Sequence, residues 1–516
     1  MKKESAILAL LSGEGINVGF SDGLPVEAID SPSEDRALSF GQGIISVSVP
    51  AREINIYGGG NAGSASISVS QDAIDFLSMV KSGSVATGIR CQIRYFTSGD
   101  YWSTAPVLFD GIVSSAKVDT YSNSVDFSIE PNEQNVNSEF PPSRVGDEFR
   151  FPNAPSTTFD RVIPVVYGLA KGYAIPAVSF TSSAAGGGRV ALCVAGHAVY
   201  GSPEKRGYVK IGNNNLGDMT RWYEIKVGSD GLGSTYSYIV VDIDDWDEGV
   251  YVIEISGKTS ASNERMESLG DIAFDMWMSY SGDSKGYVDF PRIEYARTIL
   301  NQFTVGFAFT DATQNQTIID IMVGRFGDLP FSFSAPIGLF GWDATVIPNE
   351  SSPPSGVLHY GTNIFERGSI SISGYNKIQN RFKITYNYDD NFEGNSESIT
   401  VDGSNSGLCR ESIDRYGPSQ YRSLSVPDAA TPASIGSFIS AEVNKVAMPR
   451  LSLNYFTEDT SFLTRPLLSV FHVTDEELGI ELKPFFLESV SLDVDNGGCI
   501  LSLRSLASTE RTFMGA

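Results

Sequence analysis

Clusters of basic residues are missing from this 516-residue sequence. Its 37 Lys and Arg are outnumbered by 62 Asp and Glu, which gives a formal net charge of −25. The longest basic runs are Lys2–Lys3 and Lys205–Arg206. Proteins that bind nucleic acid through its phosphates need basic patches, so the sequence argues against that class. The acidic surplus itself favours solubility and self-repulsion.

Cysteine and long apolar runs are also scarce. Cys91, Cys193, Cys409 and Cys499 form no C-x-x-C pair, which excludes the usual metal and redox motifs. We expect buried free thiols rather than disulfides. No run approaches the ~20 apolar residues of a membrane span, and Ala6–Leu11 is shorter than the apolar core of a signal peptide, about 7–15 residues. We therefore expect a soluble protein made in a reducing cell.

Catalytic motifs are the third absence. His197, His359 and His472 are the only histidines, and none has a second His or Cys at ligand spacing, so we expect structural roles for them. No G-x-S-x-G elbow marks a nucleophile. Neither Gly58–Gly60 nor Gly186–Gly188 is followed by the Lys-Ser/Thr of a phosphate loop. The sequence thus predicts no catalytic residue, no cofactor, no metal ligand and no enzyme.

Two acidic clusters keep a glycan-degrading activity and a calcium site open as alternatives. The first cluster contains Asp242, Asp244, Asp245, Asp247 and Glu248, and the second contains Asp475, Glu476 and Glu477. Glycan hydrolysis uses two carboxylates at a set separation, and closely spaced carboxylates suit calcium. The first cluster lacks the Gly and the distal Glu of an EF-hand loop. We expect both clusters to be solvated charges in loops between strands.

Tryptophan is limited to five positions: Trp102, Trp222, Trp246, Trp277 and Trp342. Packing in a core or an interface is the default role of such side chains. Stacking on sugar rings is the alternative for Trp222 and Trp246.

Strand patterns dominate what is present. Gly is frequent at 51, and 30 Phe and 22 Tyr accompany runs in which apolar and polar residues alternate, which is typical of turn-rich β-proteins. The sequence predicts a mainly β fold of the α+β kind. We divide it into a first β-barrel domain (1–135), a linker with short strands (136–181), an inserted small all-β module (182–260), a helix-rich α+β middle domain (261–368) and a second β-barrel domain with a C-terminal hairpin (369–516).

A few helices and one hairpin have clear sequence signals. Short helices are predicted after Asp72 and over 261–282, 294–303 and 311–327, and another begins with Pro432 at its first position, where a missing N–H costs nothing. Residues 391–406 are interpreted as a polar loop. Asn496-Gly497-Gly498 joins two alternating segments, 491–495 and 499–504, and predicts a hairpin.

Taken in order, several stretches resemble the tail hub proteins of long-tailed bacteriophages. VLFDGIVSSAKVDTYSNSVDFSIE (107–130) is similar to the F-x-G-x-V strand pair that ends the first barrel of such hubs. RVIPVVYGLAKG (161–172) resembles their I-P-V-x-Y-G segment. ESLGDIAFDMWMSYSG (267–282) is similar to their N-P-A-D helix, with Leu269-Gly270 in place of Pro-Ala. Residues 317–348 resemble the following helix and hairpin, and 415–506 the second barrel.

The resemblance covers most of the chain except about 182–260. It implies a homotrimer in which two barrel-like domains per subunit alternate around a ring, matching a sixfold tail tube and distal tail proteins above and a threefold central fibre or tip below. It places the protein at the distal end of the virion tail, after synthesis in the host bacterial cytoplasm. DNA would pass an acidic channel wall without specific binding, and the host envelope is a further implied contact.

A receptor-binding tail protein and a glycan-degrading tail enzyme are the alternatives to a hub. A hub depends on interfaces, because strand edges and apolar patches must be buried against neighbours. We expect the strand with Tyr386 and Tyr388, and the first-domain strand with Ile54 and Ile56, to be exposed apolar elements. A host-facing role is expected at 182–260.

Overall fold

The structure of the chain is a computed structural model. The residues it describes are 5–13, 16–31, 34–53, 63–74, 87–131, 140–141, 143–146, 151, 153–183, 187–200, 207–211, 220–230, 232–242, 251–260, 262, 264–280, 289–310, 331–334, 341–344, 346–348, 350–373, 377–386, 397–426, 432–494 and 496–506. Among these, no helix has the length and apolar character needed to cross a membrane.

The N-terminal part of the chain forms ten strands. They are β1 (Ser5–Gly13), β2 (Ile16–Ser21), β3 (Val26–Ser31), β4 (Glu34–Gln42), β5 (Ile44–Ser48), β6 (Arg52–Glu53), β7 (Ala65–Ser70), β8 (Arg90–Thr97), β9 (Val107–Asp119) and β10 (Ser124–Pro131). Nine of them build one sheet in the order β3-β4-β2-β1-β8-β9-β10-β7-β5. Alternate residues of β7, namely Ala65, Ile67 and Val69, are buried, as period-two patterning requires.

The middle of the chain contains small sheets and two helices. The elements are β11 (Val165–Tyr167), β12 (Leu169–Ala174), β13 (Ala177–Ser183), β14 (Gly187–Ala195), β15 (Gly207–Ile211), β16 (Thr220–Tyr223), β17 (Lys226–Ser229), β18 (Thr235–Asp242), β19 (Tyr251–Ser256), α1 (Leu269–Tyr280), α2 (Phe290–Leu300), β20 (Phe307–Phe309), β21 (Phe331–Ser334) and β22 (Gly341–Ala344). Two four-stranded sheets, β12-β19-β15-β16 and β13-β14-β18-β17, accompany the pairs β11-β20 and β21-β22.

The C-terminal part adds nine strands and two helices. They are β23 (Gly356–His359), β24 (Arg367–Ile372), β25 (Phe382–Tyr386), β26 (Glu397–Val401), α3 (Gly407–Tyr416), β27 (Arg422–Val426), α4 (Pro432–Val446), β28 (Leu451–Thr457), β29 (Val470–Asp475), β30 (Ile480–Asp493) and β31 (Gly498–Ser505). The main sheet runs β23-β29-β30-β31-β28-β24, with β6 also paired to β30, and a second sheet runs β26-β25-β27.

One hydrophobic core joins the two ends of the chain. It contains Ile67 and Phe127 of the N-terminal sheet together with Phe486 and Leu503 of the C-terminal sheet. A second core packs α1 and α2 against α4 and the β26-β25-β27 sheet, with Phe303 stacked on Phe438 at a centroid distance of 4.7 Å. The two large sheets are therefore neighbours in space although they are distant in sequence.

The predicted mainly β fold is confirmed, and so are several of its details. α1 and α2 lie within or beside the segments that predicted helices, α4 begins at Pro432, and the C-terminal hairpin pairs Asp493 with Gly498. Domain boundaries and the closure of either large sheet into a barrel stay predictions. The helices predicted after Asp72 and over 311–327 lie almost entirely outside the described residues.

The prediction for the segment 391–406 was wrong, and one helix was missed. Residues 397–401 form β26, which pairs with β25. α3 follows directly, because the Ser406 side chain accepts a hydrogen bond from the Cys409 N–H and so satisfies a donor of the first turn. Both elements are short and rich in polar residues, so their local pattern is weaker than the tertiary contacts that order them.

Candidate functional site: two like five-strand units and their edges

The two large sheets contain the same five-strand arrangement. In the N-terminal unit, the strands β5, β7, β8, β9 and β10 lie in the order β8-β9-β10-β7-β5. In the C-terminal unit, the strands β24, β28, β29, β30 and β31 lie in the order β29-β30-β31-β28-β24. Every neighbouring pair is antiparallel in both units. Strand for strand, the second unit repeats the first in chain order and in sheet order.

The hairpins that close the two units agree in detail. Asp119 pairs with Ser124 in the first, and Asp493 pairs with Gly498 in the second. The last loop residue has a positive φ in both, 52° at Asn123 and 64° at Gly497. Each aspartate accepts a hydrogen bond from a loop N–H, at 2.9 Å in the first hairpin and 3.1 Å in the second.

A bulge interrupts each long strand at an equivalent position. Ser114 is the extra residue of β9, and Glu488 is the extra residue of β30; each lies five residues before the hairpin aspartate. Just before the bulge, the Gly88 N–H donates to the Val113 carbonyl in the first unit. The Leu468 N–H donates to the Leu487 carbonyl in the second. Pairing with the preceding strand ends at this point in both units.

Beyond the bulge the units differ. In the C-terminal unit, Ser489 and Val490 pair with Glu53 and Arg52 of β6, a strand contributed by the N-terminal part. Arg52 is buried and donates to the Leu463 carbonyl. Burial raises the pKa of Glu488, and the neighbouring Arg504 guanidinium opposes that rise. This joint fixes one sheet against the other.

In the N-terminal unit, the corresponding edge is free among the described residues. Ser115 and Ala116 of β9 pair with β10 on one side, and no described strand lies on the other. Val490 is buried, whereas the equivalent Ala116 is half-buried. The difference follows from the presence of β6 beside one strand and not beside the other.

A second free edge is formed by β24. It pairs with β28 through Ile370–Leu453 and Ile372–Leu451, and it ends the described sheet. Opposed residues of paired strands point to the same face. Leu451 and Leu453 are fully buried, but Ile370 and Ile372 are 48% and 54% exposed. The core-facing side of the sheet therefore continues to an uncovered apolar border.

Asp475 corrects the expectation that the second acidic cluster is solvated. Asp475 is fully buried and is held by two Arg367 nitrogens, the shortest contact being 2.7 Å. The Tyr455 hydroxyl also donates to it at 2.7 Å. Glu476 and Glu477 are exposed, as predicted. Because Asp475 is committed to a buried ion pair, it does not offer a free carboxylate for glycan chemistry.

A polar cluster lies between the small sheets and α1. The Tyr167 hydroxyl donates to Asp275 at 2.7 Å, and Lys258 forms an ion pair with the same carboxylate at 2.7 Å. His197 Nε2 accepts from the Val166 N–H at 3.0 Å, while its Nδ1 lies 3.1 Å from the Ala198 carbonyl. Burial lowers the pKa of His197 to about 4. A neutral imidazole with both nitrogens engaged ties the β14 turn to β11.

The remaining candidate residues fall mostly into packing roles. All four cysteines are buried free thiols, which confirms the expectation, and burial raises the pKa of Cys499 to about 12. Trp102 packs on Phe40 at 5.0 Å between centroids, and Trp277 packs on Phe290 at 6.0 Å. His359 contacts the Tyr360 carbonyl at 2.9 Å, and His472 lies within β29.

One predicted exposed element was wrong. Tyr386 is buried, and its strand β25 is the central strand of a three-stranded sheet, paired on both sides. Period-two patterning identified the strand but could not show that both of its edges are covered. Gly187 and Gly188 belong to β14 and pair with β13.

Several candidates lie outside the described residues. They are Tyr388, Ile54 and Ile56, Gly58–Gly60, Gly186, Trp246 and the acidic residues from Asp244 to Glu248. Asp242 is exposed and lies 3.9 Å from Arg189. Trp222 and Trp342 are placed in β16 and β22, respectively.

Comparison with known proteins gives structural neighbours only. No family model matches the chain, and no curated protein matches it. Among solved structures, the chain is similar to a tail protein from Neisseria meningitidis MC58, with 10% identity, a TM-score of 0.41 and coverage of 97% of this chain and 96% of that one. It is also similar to the 43 kDa tail protein of prophage MuSo2 from Shewanella oneidensis, with 8% identity, a TM-score of 0.36 and 99% coverage of both chains. These neighbours are tail proteins, the class that the sequence motifs resemble.

Proposed function

We propose that the chain is a structural subunit of a phage tail and forms the trimeric hub at its distal end. The observation that carries this proposal is the repetition of one five-strand unit at the two ends of a single chain. Three copies arranged about a threefold axis would present six like units. A ring of this kind can face a sixfold tube on one side and a threefold fibre or tip on the other.

The arrangement of the units supports the proposal. Their common core and the β6–β30 pairing hold the two units of one chain side by side rather than leaving them on a flexible tether. The polar side chains that sequence reasoning considered for catalysis are used for structure: Asp475 binds Arg367, and His197 binds backbone groups. The net charge of −25 suits a channel through which DNA passes without adhering.

The test is the mass and symmetry of the purified chain. Light scattering after size-exclusion chromatography should give three times the 55.7 kDa of one chain. Averaged electron micrographs should show a ring with six similar lobes and threefold symmetry. A monomer or a dimer at micromolar concentration would contradict the proposal.

A label on the hairpin loop tests the position in the virion. The Tyr121 side chain is fully exposed at the tip of the first hairpin, so Tyr121→Cys can carry a gold particle in tails assembled from the variant. Gold is expected at the distal end, close to the tail axis. Gold along the tube, or at the tips of side fibres, would contradict the hub and favour a receptor-binding protein.

A further inference from the structure

We propose that the copies are joined by strand addition, with the β24 edge of one copy (Ile370–Ile372) pairing with the free half of β9 (Ser115–Val118) in a second copy. This inference rests on the proposed function, since it names the surface that would close the ring. The β9 edge after its bulge is called the acceptor edge, and the β24 edge is called the donor edge.

The first argument is the equivalence of the two long strands. Beyond the bulge, β30 receives β6 from the neighbouring unit of the same chain. β9 has the same bulge, the same hairpin and the same end to its pairing with the preceding strand, but no described strand lies on its acceptor edge. A ring of alternating units needs one joint within each chain and one joint between chains. The acceptor edge occupies in the N-terminal unit the place that the internal joint occupies in the C-terminal unit.

The second argument identifies the donor. Val47 pairs with Ile67, and Arg367 pairs with Tyr455, at equivalent positions of the two units. Arg52 of β6 and Ile372 of β24 each lie five residues further along the chain. The segment that corresponds to β6 is therefore the end of β24. Its outer backbone edge is unpaired among the described residues.

The third argument is the match of the two surfaces. Ala116 and Val118 face the core on the acceptor edge and are only half-buried. Ile370 and Ile372 face the core on the donor edge and are about half exposed. Between these apolar residues lie polar ones, Lys117 on the acceptor and Ser371 on the donor. Pairing the edges would continue the apolar row across the junction and complete both backbone ladders.

A mixed disulfide tests the contact directly. Ser371→Cys is co-expressed with either Ser115→Cys or Lys117→Cys, the two polar acceptor positions, since side chains opposed across paired strands approach closely enough to be bridged. Each singly substituted chain alone should stay uncross-linked after mild oxidation. The mixture should give a band of two-chain mass on a non-reducing gel. The matched control replaces the acceptor variant with Tyr121→Cys, which is equally exposed but lies on the hairpin loop and should give no such band.

A pair of charge variants gives an independent readout. Ile370→Asp combined with Ile372→Asp should raise the concentration at which half the trimer dissociates at least tenfold. Ile500→Asp is the matched control, because Ile500 is an exposed isoleucine on the opposite face of the same sheet, and it should leave the assembly unchanged. Unfolding curves of both variants show whether each chain still folds.

The outcomes separate the two proposals. If the wild-type chain is monomeric, both the hub function and this interface are wrong. If it is trimeric but gives no mixed disulfide and tolerates the two aspartates at the donor edge, the hub function stands and this interface is wrong.

Discussion

The two five-strand units show how one topology can support different energetics. Each unit buries one carboxylate against an arginine, but in a different environment. In the N-terminal unit, Asp110 is held by Arg90 at 2.6 Å and Gln92 at 2.8 Å, and the Arg90 side chain is 30% exposed. In the C-terminal unit, the partner Arg367 is more buried, and Asp475 also receives the Tyr455 hydroxyl. The C-terminal unit is also braced by β6, whereas the N-terminal unit keeps an open edge.

The largest expected effect of a single substitution is at Asp475. Asp475→Ala leaves a buried guanidinium without its carboxylate, which should lower the free energy of unfolding by about 3–5 kcal/mol. Urea denaturation followed by fluorescence measures it. Asp475→Asn keeps the shape but not the charge, and it should fall between wild type and the alanine variant. A loss below about 1 kcal/mol, as for an exposed pair, would show that the ion pair is not desolvated.

The matched substitution in the other unit is Asp110→Ala. Its loss should be smaller, about 2–3 kcal/mol, because Arg90 can turn toward water while only Gln92 is left with an unmet hydrogen bond. The same urea curves give the comparison. An Asp110→Ala loss equal to or above that of Asp475→Ala would reverse the inferred order of the two units.

The joint between the units is tested by Arg52→Ala. Removing this buried side chain leaves the Leu463 carbonyl without its donor and should cost about 1–3 kcal/mol. It should also broaden the unfolding transition, because the two sheets lose part of their connection. Lys117→Ala, an exposed change near the equivalent place in β9, should stay within about 0.5 kcal/mol. Equal effects would mean that β6 does not couple the units.

The smallest effects are expected in the two hairpin loops. Gly497→Ala places a side chain at a φ of 64° and should cost about 1–2 kcal/mol. Asn123→Gly should change stability by only a few tenths of a kcal/mol, because Asn already tolerates this conformation. Thermal unfolding of both variants measures the difference. A large loss at Asn123 would show that its side chain, and not its backbone angle, holds the first hairpin.

Much of the local structure could be predicted from the sequence. Alternating residues identified β7, β9, β10, β28 and β31, and the Asn-Gly-Gly turn identified the last hairpin, because these signals depend on a few neighbouring residues. Pro432 identified the start of α4 for the same reason. The polar segment that contains β26 and α3 carried no comparable signal.

The repetition of the two units escaped the sequence reading, although a signal exists. Both long strands end in an aspartate followed by a loop and a return strand with buried alternate residues, Phe127 and Ile129 in one unit and Leu501 and Leu503 in the other. Nearly all the side chains differ, so only the spacing is shared. Comparing the two hairpins by spacing would have revealed the repeat.

By itself, the sequence determined which segments form strands, that the cysteines are buried thiols and that basic patches are missing, because periodicity, polarity and charge are local or summed properties. Only the tertiary structure decided which strand edges are covered. β25 became a central strand, β30 gained β6, and the edges of β9 and β24 stayed open among the described residues. Edge pairing depends on contacts between residues hundreds of positions apart, and no local pattern encodes it.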